Sequence, residues 1–378
     1  MPDAGAVTPE TWPADATDRP RESRATCSFA TDNAAPTPGL SPGAKIAILA
    51  NPFSGAKANQ DRVKRLAALL RDAGAEPHAI WDPPACSPAL ATPESIAHLD
   101  ALLVAGGDGS IGGAVSHLAR ALGWDDPDLS PDARPALPPV AMLPLGNENL
   151  LARHCGVGTR PEQLVAKLFE EAQAPAFDLG RLSCTAMDSA GKLGAPRRFT
   201  CVVSAGLDAE VVRRVAHWRS AAAKPGQLKR VRRRSYVRHV LLAAAQYGYP
   251  ATRVVADGQD LGEAAQVLVF NVPEYGGGLR FAPEADPTDG RFDYVLLRKP
   301  GLLPALSYVG SVVLGRHAKR GDVAVGRAGR IELHPADPQH PAPVEVDGDL
   351  AGVAPATIEV EAGRLRLLGA RQPNLARG

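Results

Sequence analysis

The chain has 378 residues, 45% hydrophobic and 22% charged, with a net charge of +1. That is long enough for two domains with a large core, and the charge balance excludes a global field steering it toward nucleic acid. Cys27, Cys86, Cys155, Cys184 and Cys201 are odd in number, without a Cys-x-x-Cys pair, which argues against a disulfide framework or zinc site and fits a reducing cytoplasm.

Residues 1–43 are rich in Pro, Ala, Thr and Asp, show little periodicity and lack the apolar core of a secretory signal; they read as a disordered extension. Ordered sequence is predicted from Ala44. Lys45 to Ala50 reads as a buried strand ending at Asn51-Pro52. Val63, Leu66, Ala67 and Leu70 fall at helical spacing, with Gly74 as the cap. His78 to Trp81 and Leu102 to Ala105 read as strands, the second leading into Gly106-Gly107-Asp108-Gly109-Ser110. A helix is predicted to open at Ser110 and to run from Ile111 to Leu122, followed by a strand over Val140 to Leu143. Helices over Glu148 to Arg153 and Pro161 to Glu171 close this part.

Strand and helix thus alternate from 44 to about 172, which predicts a doubly wound parallel α/β layer. Ligands in such layers bind at the carboxyl ends of the strands. Three turns sit there: Asn51-Pro52-Phe53-Ser54-Gly55, the Asp108 loop, and Leu145-Gly146-Asn147-Glu148-Asn149. After 173 the rhythm changes. Segments 176–186, 198–204, 252–256, 265–272, 291–298, 330–334, 343–346 and 357–368 read as strands, interrupted by helical stretches near 208–245 and 301–316. Residues 187–197 read as a loop. A second, mainly antiparallel β domain follows from this pattern. No apolar run reaches the roughly 18–20 residues of a membrane span.

The Asp108 loop carries the sharpest chemical signal. Its glycines let the backbone approach a bulky anion, and the new helix offers free N–H groups and the positive end of its dipole. An aspartate there would repel a bare phosphate, so a bridging Mg²⁺ is implied. The alternative is a turn aspartate capping the helix that opens at Ser110. Asp286 and Asp289 lie in a Pro-, Gly- and Asp-rich loop, which suits either a hard cation or a solvated turn. Asp347-Gly348, taken alone, reads as a hairpin turn. The stretch 211–256 contains no Asp or Glu and carries many arginines between Arg213 and Arg238, with Trp218 and Tyr236 among them. It reads as a contact for an anionic membrane surface, with nucleic-acid binding and a solvated helix face as the alternatives. The histidines show no metal-ligand spacing.

Six segments, in order, resemble the diacylglycerol kinase catalytic family, which includes soluble bacterial lipid kinases and sphingosine kinases. Asn51-Pro52-Phe53-Ser54-Gly55 resembles its first element, and Gly106-Gly107-Asp108-Gly109-Ser110 its Gly-Gly-Asp-Gly-Thr loop. Leu143 to Arg153 resembles its Pro-Leu-Gly-Thr-Gly-Asn-Asp-x-Ala-Arg element, with Asn147-Glu148-Asn149 in place of Thr-Gly-Asn. Ala205-Gly206-Leu207-Asp208-Ala209-Glu210 is similar to a small-residue turn that opens a helix. Gly276-Gly277-Gly278 through Phe281-Ala282-Pro283 to Asp289-Gly290 resembles a second-domain motif. Val346-Asp347-Gly348-Asp349 resembles the Asp-Gly-Glu signature, with Asp349 one methylene shorter.

The resemblance implies an N-terminal α/β domain like that of NAD kinase, a C-terminal antiparallel β-sandwich, and a nucleotide in the cleft between them. The expected divisions are 1–43, an extension; 44–172, the nucleotide-binding domain; 173–350, the lipid-substrate domain; and 351–378, a closing segment that in the family often returns to the first domain. The implied activity is ATP- and Mg²⁺-dependent phosphorylation of the hydroxyl of diacylglycerol or a related lipid, at a peripheral membrane location in the cytoplasm. Asp347 is the expected general base, Asp349 its assistant through Mg²⁺ or by orienting the substrate, and Asp108 the support for Mg²⁺ or the phosphate loop. In the sphingosine kinase branch the aspartate matching Asp108 is discussed as the base, so that role stays open. Nucleotide binding falls to Asn51, Ser54, Gly55, Gly106, Gly107, Gly109, Ser110, Gly146, Asn147 and Asn149. Asp286 and Asp289 match a pair holding a structural Mg²⁺, with a backbone carbonyl at the position of Arg291. A pseudokinase on the same fold, suggested by Asn147-Glu148-Asn149, and an NAD kinase are the alternatives. A homodimer is left open, and no nucleic-acid partner is expected.

Overall fold

The computed structural model describes residues 39–50, 57–170, 175–186, 193–221, 240 and 242–371. Its first layer is a parallel sheet of β1 (Lys45–Ala50), β2 (Glu76–Ile80), β3 (Ala101–Gly106) and β4 (Val140–Pro144), in the order β2-β1-β3-β4. β3 and β4 are buried at every position, which is why they read as continuous apolar runs rather than alternating ones. Around the sheet lie α1 (Lys57–Asp72), the one-turn α2 (Pro93–Ala97), α3 (Asp108–Ala121), α4 (Leu150–His154) and α5 (Pro161–Phe169). Val63, Leu66, Ala67 and Leu70 of α1 are all buried, as the helical spacing requires.

The second layer is antiparallel. β5 (Ala176–Thr185), β6 (Arg197–Phe199), β7 (Val202–Ala205), β8 (Thr252–Ala256), β9 (Gln259–Ala264), β10 (Gln266–Phe270), β11 (Phe292–Leu297), β12 (Val323–Ala328), β13 (Arg330–Pro335), β14 (Pro343–Val346) and β15 (Asp349–Arg366) build it. Its main path runs β12-β11-β10-β7-β14-β15-β13-β8-β9, with β5 pairing β15 and β6. α6 (Leu207–Ala221) and α7 (Leu302–Val313) are carried on it. Beyond β15 the chain rejoins the first layer: Leu367 bridges Val140, and the Leu368 N–H donates to the Val140 carbonyl (2.8 Å). One hydrophobic cluster runs from the parallel sheet into β10 and the end of β15, and a second fills the antiparallel layer.

The predicted α/β layer and antiparallel β-rich layer are both present. Three local expectations change. The third helix begins at Asp108, with Gly107 in the extended N-cap conformation, so the aspartate is the first helical residue rather than part of a loop ending at Ser110. The strand expected over 198–204 breaks into β6 and β7 at Thr200-Cys201, where backbone N–H groups turn toward a carboxylate instead of a neighbouring strand. β9 and β12 lie where no strand was expected. β9 follows a tight turn at Asp257-Gly258, both at positive φ (47° and 82°), so the Asp-Gly hairpin signal was present there too.

Candidate active site

The carboxyl ends of β3 and β4 meet the β14–β15 turn of the second layer. Gly107 and Gly146 bring the two loops together backbone to backbone: a Cβ on Gly146 would lie 2.7 Å from the Gly107 Cα. Asn149 fastens the second loop. Its Oδ1 accepts from the Gly146 N–H (2.8 Å) and its Nδ2 donates to the Gly146 carbonyl (3.0 Å). Asn149 itself takes the left-handed conformation (φ 48°), one of the few non-glycine residues that do so readily. The departure at 147–149 therefore keeps a closed turn. Asn147 is exposed, and Glu148 accepts from the Gly277 N–H at 3.4 Å.

Asp108 does cap a helix, but not its own. Its Oδ2 accepts from the Leu150 N–H (2.9 Å) and its Oδ1 from the Leu151 N–H (3.1 Å), so it holds the N-terminus of α4. It is nearly buried, and desolvation pushes its carboxyl above the usual range while these N–H donors pull it back. The Cys201 thiol lies 3.8 Å from the same Oδ1, and burial pushes that thiol well up, so it stays protonated.

Asp347 and Gly348 form the two-residue turn between paired Val346 and Asp349, both at positive φ (48° and 84°). The hairpin turn and the chemical candidate are thus the same residue. The Asp347 carboxylate points to the β6–β7 break. Oδ1 accepts from the N–H groups of Cys201 and Val202 (3.0 Å each), and Oδ2 from the Thr200 N–H (2.9 Å) and hydroxyl (3.2 Å). Burial raises its pKa to about 6 against these donors, with Asp108 adding a like charge. Cys201 therefore touches both candidate carboxylates. Asp349 reaches the start of α3: a Cβ on Gly109 would lie 2.5 Å from its Oδ2. The Arg197 guanidinium stands 3.8 Å from that oxygen.

Beside Asp347 opens a cavity of about 330 Å³ lined by Asp108, Glu148, Asp347 and Gly348 at one end and by apolar side chains from α6, β10 and α7 further in. Its size is that of a small-molecule site. Two more carboxylates, Asp208 and Glu345, line it. The Tyr275 hydroxyl (2.5 Å) and Ser204 hydroxyl (3.1 Å) both donate to Asp208 Oδ2. The Gly348 N–H donates to Glu345 Oε2 (2.8 Å). Glu345 Oε1 is buried without a hydrogen-bond partner. Burial pushes both carboxyls up, Glu345 well above its usual range, with the charge of Asp208 adding to it. Sequence reasoning missed this pair. Its signal was a lone glutamate inside the buried run Val344-Glu345-Val346 and an aspartate in the first turn of α6.

The remaining expected residues are distributed as follows. Gly106 ends β3, while Gly107, Gly109 and Ser110 open α3. Asn51, Ser54 and Gly55 lie outside the described residues. Asp286 and Asp289 are apart from the cavity. Each accepts turn N–H groups, Asp286 from Thr288 (3.0 Å) and Asp289 from Arg291 (3.0 Å). They face buried Asp178, whose pKa burial and their two charges raise to about 6. Among the described residues, no group of three or more His, Cys, Asp or Glu side chains is placed to hold a metal ion. Of the basic stretch, residues 222–239 lie outside the described residues. Arg213 and Arg214 pair with Glu210 (2.7 and 2.6 Å), and Arg253 with Asp260 (2.7 Å), so these three are matched by acids flanking the stretch.

Residues 45–182 match the model of the diacylglycerol kinase catalytic domain, and residues 201–369 that of the YegS C-terminal NAD kinase beta sandwich-like domain. The chain is thus similar to diacylglycerol kinases and YegS-like lipid kinases across both of its layers. It is therefore a kinase acting on a lipid alcohol. It is 26% identical over 331 residues to diacylglycerol kinase of Mycobacterium tuberculosis H37Rv, covering 86% of this chain and 96% of that one. A Stenotrophomonas maltophilia protein, named probable lipid kinase YegS-like, is 25% identical over 286 residues (72% and 80% covered). The crystal structure of a diacylglycerol kinase from Bacillus anthracis superimposes with a TM-score of 0.58 at 20% identity, covering 87% of this chain and 98% of that one, and shares its fold.

Proposed function

We propose that this protein transfers the γ-phosphoryl group of ATP to the hydroxyl of diacylglycerol or a closely related lipid. The observation that carries the reading is the position of Asp347. The half-buried Asp347 carboxylate stands between the glycine-rich ends of β3 and β4 and an apolar cavity of about 330 Å³. Phosphoryl transfer needs positioning, charge stabilisation and one carboxylate to take the hydroxyl proton.

In this reading residues 44–172 hold the nucleotide and 173–350 the lipid. The backbone at Gly107, Gly109, Ser110 and Gly146 meets the phosphates, with Asn149 keeping the second turn closed and Asn147 beside it. Asp108 takes the first two N–H groups of α4 and so fixes that short helix against the start of α3. Asp347 is the base. Of the four bonds to its carboxylate, the Thr200 hydroxyl bond is the longest at 3.2 Å, and the substrate hydroxyl replaces it. Asp349, which opens β15 and reaches Gly109 at the start of α3, orients the acceptor.

Mg²⁺ is held mainly by nucleotide phosphates and one or two carboxylates rather than by a protein cage. Asp108 fits that part: two N–H donors leave acceptor capacity on its oxygens. A bound Mg²⁺ would offset charge on the phosphates. Asp286 and Asp289 do not make a cation site by themselves: Asp286 accepts from the Thr288 N–H and hydroxyl, and the Arg327 guanidinium stands 3.5 Å from Asp289.

Turnover of labelled ATP against diacylglycerol, sphingosine, ceramide and NAD tests the proposal. Label is expected in a lipid, not in NAD. Tight ATP binding without transfer to any acceptor would favour a pseudokinase.

A further inference from the structure

We propose that the outer face of α7 is the surface by which this protein rests on a lipid bilayer, placing the cavity mouth against the membrane. The proposal rests on the lipid-kinase reading only for its purpose; the surface itself is argued from structure.

The two sides of α7 differ sharply. Tyr308 and Val312 are buried, and Ala305, Tyr308 and Val309 line the cavity. The helix is pinned on that side. The Lys299 N–H donates to the Tyr308 hydroxyl (3.0 Å), and the Arg320 guanidinium lies 4.7 Å over its ring. On the other side Leu303 is 78% exposed, Leu306 51%, Val313 71% and Leu314 68%. Residues 303, 306, 310 and 313/314 recur every three or four positions, so they form one stripe. Val309, between this stripe and the cavity, is 41% exposed, and the other large apolar side chains exposed among the described residues, Leu193, Leu242 and Val325, are scattered singly. Scattered apolar residues need no explanation, whereas a contiguous patch marks an interaction surface.

Charge selects the occupant. No Asp or Glu occurs between Asp293 and Asp322, while Arg298, Lys299, Arg316, Lys319 and Arg320 do. Arg316 and Lys319 are exposed just beyond the helix end. Asp322, the nearest acid, is already engaged by Arg320 (2.9 Å) and Lys299 (3.5 Å). An apolar stripe edged by cations fits the plane of an anionic bilayer, the leucines entering the acyl boundary and the cations meeting the headgroups. Twelve residues, about 18 Å of helix, are too short to span the roughly 30 Å hydrocarbon layer. The helix therefore lies on the surface, one side in lipid and the other forming a wall of the cavity.

The test is sedimentation of the full chain with vesicles of zwitterionic lipid containing an anionic fraction, and with purely zwitterionic vesicles. The wild type is expected to bind the anionic vesicles, more weakly as salt is added. The Leu303→Glu/Leu306→Glu/Val313→Glu variant should lose binding at least tenfold, with an unchanged melting temperature because all three side chains are exposed. Separately, Leu306→Trp should show a blue-shifted emission on vesicle addition and quenching by bromine-labelled acyl chains. Equal binding by the triple variant, or no emission shift, overturns the proposal. So does a concentration-dependent dimer that the triple variant abolishes, because the face would then belong to a second copy. If the triple variant loses vesicle binding while the wild type phosphorylates no lipid at all, the docking surface stands and the kinase reading falls.

Discussion

At the scale of single residues, Asp347, the proposed base, gives the sharpest tests. Its carboxyl, raised to about 6, is largely ionised at neutral pH. Activity should therefore fall about tenfold per pH unit below about 6, as the base takes up a proton. The stability consequence has the opposite sign. The folded protein holds this proton more tightly than the unfolded chain, so burial of Asp347 costs stability above about pH 6, and that cost is relieved as pH falls toward 4. A pH–rate profile flat down to pH 5 would remove Asp347 as the base. Asp347→Asn should lower kcat by about 10²–10⁴-fold with little change in the KM for ATP. It also turns an amide NH₂ toward backbone N–H groups, at a cost of about 1–3 kcal/mol in stability. A drop in melting temperature without a drop in kcat would leave the residue a purely structural cap. Glu345→Gln should act the other way on stability. It puts a neutral amide in place of a carboxyl that burial and the facing Asp208 push well above its usual range, and a gain of about 0.5–2 kcal/mol in unfolding free energy at pH 7 is expected; a loss would show that the amide breaks contacts the carboxyl makes. Asp108 was legible from the glycines around it, whereas Asp347 was legible only through the resemblance of Val346-Asp347-Gly348-Asp349 to a family signature, because Asp347-Gly348 alone reads as a hairpin turn. Asp208, Glu345 and the Thr200-Cys201 break were not legible, because they gain meaning only from strands that pair across long separations: Glu345 stands opposite Ser204.

At the scale of elements, α3 is the joint between the layers. Its glycines face the second layer at different hardness. A Cβ on Gly109 would meet the end of the Asp349 side chain at 2.5 Å, whereas one on Gly112 would meet the Arg198 backbone carbonyl at 2.9 Å. A side-chain end can swing aside and a backbone carbonyl cannot. Gly109→Ala should therefore keep or slightly raise the melting temperature, since alanine favours the helix by about 1 kcal/mol, while lowering kcat through displaced Asp349. Gly112→Ala should lower the melting temperature. Thermal melts and kinetics on the two variants separate these outcomes, and equal behaviour would contradict the assignment of α3. The parallel layer was readable at this scale because β1, β3 and β4 are short continuous apolar runs parted by amphipathic helices. β9 and β12 were not. β9 is exposed or half-exposed up to its last residue and β12 is buried only at its two ends, so neither reads as a core strand, and their place is decided by neighbours β8 and β11.

At the scale of the whole molecule, the active-site cleft depends on the two layers keeping their register. A buried ion network holds them on one side. Arg198 of β6, with no exposed side-chain surface, pairs with Asp125 beyond α3 (2.5 Å) and with Glu361 of β15 (3.2 Å), while Glu361 also takes Arg134 (2.8 Å). Glu361→Ala leaves two guanidiniums without that partner and should cost about 3–5 kcal/mol by chemical denaturation. A loss under 1 kcal/mol would mean that water replaces the carboxylate. The central claim is that this cleft passes phosphate from ATP to a lipid hydroxyl. The measurement that bears on it most directly is transfer of label from γ-labelled ATP to diacylglycerol in mixed micelles, with and without a chelator of divalent cations, by wild type and Asp347→Asn. The account predicts labelled lipid from the wild type, none after chelation, and a loss of about 10²-fold or more in the variant. Labelled NAD in place of lipid, or lipid labelling undiminished in Asp347→Asn, would contradict it.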